Sequence, residues 1–136
     1  MKKLILLIII SNLTLFVLNA QVTLTIVIKS LENSKGTIYL DFRDGKDKSL
    51  KHYSQKIIDN QCKIVVDNLS PGKYYFKYFH DENNNVELDT NILGIPKEGY
   101  GFSNDAEGKF GPPDFEETVF EIIDNATIVC HPKYIY

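Results

Sequence analysis

Apolar residues recurring at every second position leave a chain few ways to fold, and here the pattern returns from one end to the other. Val22, Leu24, Ile26 and Ile28 alternate with Thr23, Thr25, Val27 and Lys29. Ile38, Leu40 and Phe42 repeat the pattern after Gly36, and Cys62, Ile64 and Val66 share a face with Leu69. Thr118, Phe120 and Ile122 alternate again, followed by Ala126, Ile128 and Cys130. Residues 74–79 form an aromatic strand, residues 54–58 a weaker one, and residues 134–136 a candidate edge strand. Asp44-Gly45, Asp59-Asn60, Ser70-Pro71-Gly72 and Asp124-Asn125 supply the turns between them. No stretch carries a helical period. Seven or so short strands joined by turns predict an all-β fold, an antiparallel β-sandwich.

Residues 1–20 read as a leader and not as part of that fold. Lys2 and Lys3 form a basic start, residues 4–10 an apolar run, and Asn19-Ala20 ends on a small residue suited to cleavage. Polar Ser11, Asn12 and Thr14 interrupt the run, which favours cleavage over a retained anchor. The expectation is an exported protein, periplasmic or extracellular, with no stable membrane span after cleavage. Residues 21–136 are then one domain. Lys2 and Lys3 leave with the leader, so the 15 basic residues fall to 13 against 18 acidic, a net of −5. That balance argues against nucleic acid and anionic membrane surfaces as partners.

Two cysteines remain, Cys62 and Cys130, each in phase with apolar neighbours and so expected to face the core. In an exported chain an even count allows a disulfide between sheets, worth roughly 4 kcal/mol in the chain-entropy picture. Two buried thiols in neighbouring strands are the alternative. No Cys/His spacing suits structural zinc.

Residues 81–115 break the rhythm. They hold Gly94, Gly99, Gly101, Gly108 and Gly111 of the eight glycines, and Pro96, Pro112 and Pro113 of the five prolines. A loop insertion of this length in a small domain is either functional or disordered. Ile92, Leu93, Ile95, Tyr100, Phe102, Phe110 and Phe115 are too many large apolar groups for a solvated coil. An ordered Gly/Pro-rich loop layer is therefore expected, with Phe102, Phe110 and Phe115 tucked against the sandwich. Tyr100 is left as a candidate binding residue for a protein or glycan partner.

The layer opens with Asp81-Glu82-Asn83-Asn84-Asn85-Val86-Glu87-Leu88-Asp89. Asp81, Asn83, Asn85 and Asp89 put side-chain oxygens at positions 1, 3, 5 and 9, and Glu87 offers its carbonyl at position 7. Calcium takes six to eight hard oxygens in this rhythm. Position 12 is Ile92, so the bidentate acid of a helix-loop-helix site is missing, and Asp105, Asp114 and Glu116 are candidates to complete the shell. Position 6 is Val86, a β-branched residue that resists positive φ, so Asn84 or Asn85 is expected to take the left-handed conformation. An extracellular-type site with a dissociation constant near ~10⁻⁴ M, in ~1 mM calcium, would add roughly 1.4 kcal/mol.

Catalysis has less to work with. His80 beside Asp81 is the best general base, which makes a small extracytoplasmic hydrolase using His80 and a loop carboxylate the alternative function. His80 also falls in phase with Tyr74, Phe76 and Tyr78, as a core-edge histidine would. Ser70 and Ser103 have no triad context.

Longer blocks are familiar as a set. His80-Asp81-Glu82-Asn83-Asn84-Asn85, Leu88-Asp89-Thr90-Asn91, the stretch Gly94-Ile95-Pro96-Lys97-Glu98-Gly99-Tyr100-Gly101-Phe102-Ser103-Asn104 and Phe110-Gly111-Pro112-Pro113 resemble the small exported bacterial family known as domain of unknown function 2141. That resemblance implies the compartment and the domain limits and supplies no activity. The chain departs from the pattern at Asn84 and Val86, where glycine is expected. Asn68-Leu69-Ser70-Pro71-Gly72-Lys73-Tyr74 is similar, more weakly, to the strand-turn-strand of transthyretin-like and Cna-B-like modules, which implies an Ig-like or transthyretin-like sandwich used as a stalk, spacer or accessory domain. Taken together, these readings give an exported calcium-stabilised module that binds or supports something at the cell envelope.

Overall fold

A computed structural model describes residues 20–136; the leader, apart from Ala20, lies outside the described residues. Eight strands form: β1 (Val22–Ile28), β2 (Thr37–Asp44), β3 (Ser49–Lys56), β4 (Cys62–Leu69), β5 (Gly72–Asp81), β6 (Tyr100–Phe102), β7 (Phe120–Ile122) and β8 (Ala126–Cys130). A 3-10 turn at Ser103–Asp105 and a four-residue helix α1 (Phe115–Thr118) are the helical segments. Among the described residues, no helix is long and apolar enough to cross a membrane.

The strands make two sheets, one ordered β4-β1-β8 and one ordered β3-β2-β5-β6. Strand β5 is ten residues long, and its far edge is shared: β6 pairs with Lys77–Phe79 and β7 with Gly72–Tyr74. The inward faces are those that the alternation marks. Leu24, Ile26, Ile28, Ile64 and Val66 from the small sheet meet Ile38, Leu40, Phe42, Phe76 and Tyr78 from the large one, all buried in a single cluster. Each such side chain contributes roughly 1.5–3 kcal/mol by leaving water. The fold is an all-β sandwich, antiparallel except where β8 runs parallel to β1.

Four expectations change. Strand β3 begins at Ser49, not Ser54, and exposes most of its length. As the lysine-bearing edge of the large sheet it has no apolar face to print a period, and its charges discourage edge-to-edge pairing. Residues 134–136 form no strand; only Lys133 bridges to Tyr100. Thr118 ends α1 instead of opening a strand. The loop layer is not built on a mini-core, because Ile92, Leu93 and Phe110 point outward and Phe110 is wholly exposed. Phe102 joins the large sheet through β6, and Phe115 meets it edge-on at Tyr75, 5.2 Å between ring centroids.

The disulfide is also corrected. Both cysteines are buried free thiols. Cys62 on β4 and Cys130 on β8 both pair with Ile28 on β1, one from each side. They belong to the same sheet, two strand spacings apart, roughly 10 Å, beyond the ~7 Å that a bridge tolerates. Burial pushes both thiols up to about 12. The folded protein should therefore leave both unreactive toward a thiol reagent at pH 8, release two thiols on denaturation, and melt at the same temperature with or without reductant. A reductant-dependent melt would mean the bridge forms.

Candidate functional site

The acidic loop grows directly from the end of β5. Asp81 is the last residue of the strand, lies opposite Thr37 of β2 and is fully buried. Gly36, just before β2, makes that packing feasible: its φ is +76°, and a Cβ there would lie 1.9 Å from the Asp81 carbonyl oxygen. No lysine, arginine or histidine pairs with the Asp81 carboxylate among the described residues. Its hydrogen bonds come from the loop it starts. The Asn85 N–H donates to Oδ1 at 3.2 Å and the Val86 N–H to Oδ2 at 2.9 Å.

The other candidate ligands close around the same turn. The Asn83 and Asn85 side-chain amides donate to the two oxygens of Asp89, at 2.5 and 3.0 Å. Their own oxygens accept from the backbone, Asn83 Oδ1 from the Asn85 N–H and Asn85 Oδ1 from the Glu87 N–H. Asp81, Asn83, Asn85 and Asp89 are thus knitted into one polar ring. Among the described residues, no three His, Cys, Asp or Glu side chains gather as a metal-binding group. The ring's donors are two carboxylates and two amides, a set that suits a hard, weakly held cation and not zinc.

Sequence reasoning missed Glu98. It is buried, and each of its carboxylate oxygens accepts a backbone N–H, Oε1 from Glu82 and Oε2 from Asp89. One acid thereby ties the two ends of the loop together. The available signal was an acid set between Pro96 and Gly99, but its partners are visible only once β6 returns the chain to β5. The Gly99 carbonyl accepts the His80 N–H at 2.7 Å, which completes that return.

The three supplementary candidates do not converge on the loop. Asp105 follows β6, two residues beyond Ser103, and holds His131 through its backbone N–H at 2.8 Å and its ring Nδ1 at 2.9 Å. Asp114 and Glu116 flank Phe115, whose ring meets Tyr75. Tyr75 stands six residues from Asp81 along β5, roughly 20 Å away.

Backbone strain falls where the sequence argued against it. Asn84 is left-handed as expected, with φ 58°, but Val86 is too, with φ 65°, and Asn85 is not. The Asp81 carboxylate grips the Asn85 and Val86 N–H groups together, and that grip holds a β-branched residue where it costs roughly 1–3 kcal/mol.

His80 has no free nitrogen. It is fully buried; Nε2 donates to the Lys35 carbonyl at 2.7 Å, and Nδ1 accepts from the Tyr134 hydroxyl at 2.9 Å. The Glu32 N–H donates in turn to that hydroxyl. The ring pins the β1–β2 connection and the C-terminal segment to β5, and both of its nitrogens are engaged. Tyr100 is half-buried on β6, where it pairs with Phe79.

Fold and loop define a small two-sheet β-sandwich that carries an acid-and-amide loop at one end of its longest strand. Residues 26–129 match the family model described as an uncharacterized protein conserved in bacteria, DUF2141, and the chain belongs to that family. No curated protein matches it in sequence.

Two substitutions test the loop's construction. Val86→Gly should raise unfolding stability by about 1 kcal/mol by removing the strained φ, and Glu98→Gln should lower it by about 1–3 kcal/mol by leaving one N–H without its acceptor. Urea denaturation reads both; a destabilised Val86→Gly would refute the strain.

Proposed function

We propose that this protein is an exported β-sandwich module whose loop 81–89 takes calcium, and that it serves a binding or structural role at the cell envelope or outside the cell. One observation carries the calcium reading. Asp81 is a fully buried carboxylate with no cationic partner among the described residues, standing at the head of a ring of acid and amide oxygens. Buried charges are normally paired, hydrogen-bonded or coordinated to metal, and two neutral N–H donors compensate only in part.

Asp81 and Asp89 would hold the ion through carboxylate oxygens, Asn83 and Asn85 through amide oxygens, and Glu87 through its carbonyl. Bound calcium would supply the positive charge that the loop's own residues lack. The residues fit a modest affinity, because no bidentate acid closes the shell and Glu98 is committed to backbone N–H groups. Export is supported by the basic and apolar leader over residues 1–20. The hydrolase alternative would need His80 to accept a proton, and both of its nitrogens are already engaged.

Chelation is the direct test. EGTA should lower the melting temperature in ~1 mM calcium by roughly 5 °C, the equivalent of about 1.4 kcal/mol. Asp89→Ala should reproduce the drop and abolish the response to EGTA, and calorimetry should show calcium, not magnesium, titrating one site. An unchanged melt with EGTA would remove calcium from the account.

A further inference from the structure

The outer face of the large sheet is not the polar surface that a half-solvated antiparallel sheet ordinarily presents. Cross-strand register puts Tyr39 opposite Phe79 and Phe79 opposite Tyr100 in one row. The next row runs His52, Asp41, Lys77, Phe102. Tyr39 and Phe79 stack with centroids 5.5 Å apart and planes 22° apart, while Tyr100 meets Phe102 edge-on at 6.5 Å. All four rings are half-buried. Val86 and Leu88 of the acidic loop close one side, leaving a groove of about 520 Å³. That volume lies within the roughly 300–1,000 Å³ of small-ligand sites.

We propose that this groove is a saccharide-binding site. The inference rests on reading the chain as an exported binding module and adds the class of ligand. The argument is chemical complementarity, row against row. A sugar ring has an apolar C–H face, which an aromatic ring can cover, and a rim of hydroxyls that both donate and accept. The charged row supplies both kinds of partner. Lys77 is exposed, and no ion pair engages it among the described residues. His52 is exposed next to Asp41, whose carboxylate is steadied by Ser49 and Arg43.

Other occupants fit less well. A wholly apolar ligand would strip water from Asp41, His52 and Lys77 and replace none of their hydrogen bonds. A peptide added as a strand would pair along a sheet edge, whereas the floor of this groove is the outer face of β2 and β5, the two central strands. Nucleic acid is opposed by the chain's net charge of −3.

The test is calorimetric titration of the purified protein with cellohexaose, chitohexaose, xylohexaose, mannohexaose and trigalacturonate, in calcium and in EGTA, with decaproline as the peptide probe. At least one saccharide should bind saturably. Tyr39→Ala and Lys77→Ala, each confirmed as folded by its melt, should weaken that binding about tenfold or more. Val65→Ala, on the outer face of the other sheet, should leave it unchanged. No saccharide binding, wild-type affinity in both groove variants, or binding of decaproline alone overturns the inference. Absent saccharide binding with an intact calcium-dependent melt overturns this inference alone. Saccharide binding with no effect of calcium on the melt supports the groove and removes the calcium reading.

Discussion

The rest of the molecule depends on how a charged side chain is accommodated at the buried end of β5. Asp81 cannot reach water, and among the described residues no cation pairs with it. The following residues must therefore turn back and present N–H groups to it, which the Asn85 and Val86 amides do. That demand accounts for the left-handed φ at Val86; beside it Asn83 and Asn85 close on Asp89, and Gly36 packs against the Asp81 backbone carbonyl. A buried carboxylate satisfied only by neutral donors is a costly arrangement for structure alone.

The loop is held by polar contacts rather than by burial, and this decides where the apolar residues go. Glu98 closes the loop through two backbone N–H groups, so Ile92, Leu93 and Phe110 are not needed as anchors and stand in solvent. Order that rests on carboxylate and amide hydrogen bonds is more sensitive to charge than a hydrophobic staple would be. Any cation sharing the ring would be felt first by Asp81 and Asp89, and through Val86 and Leu88 by the wall of the groove on the large sheet. Loop and groove are mechanically continuous in this sense.

Strands with one face in the core were legible in the sequence because burial prints a period of two: β1, β2, β4, most of β5 and β8. Strand β3 was legible only at its end, as the weak run at 54–58, since most of its length is exposed and alternation carries little information there. Strand β6 is three residues long and exists only because Tyr100 and Phe102 find Phe79 and Lys77, a pairing with no local signature. Alternation also showed that Cys62 and Cys130 face inward. It could not show that both border the same strand, which is what keeps them apart. Within the site, Asp81, Asn83, Asn85 and Asp89 were readable because their spacing is local. Glu98 was not, and Asp105, Asp114 and Glu116 stand apart from the loop, because Asp105 turns to His131 and α1 carries its neighbours to Tyr75 near the far end of β5.

Histidine 80, at the same end of the strand, is used as a structural tie. A general base needs a nitrogen that can take a proton from a substrate. Here Nε2–H is bound to the Lys35 carbonyl and Nδ1 to the Tyr134 hydroxyl, so the ring serves as a rivet between the β1–β2 connection, β5 and the C-terminal segment. What remains accessible is of a different character: aromatic rings and charged groups set side by side on the outer sheet face, and hard oxygens in the loop beside it. The sandwich thus buries His80 and sets its half-buried aromatic rings on the outer face of the large sheet, beside the loop.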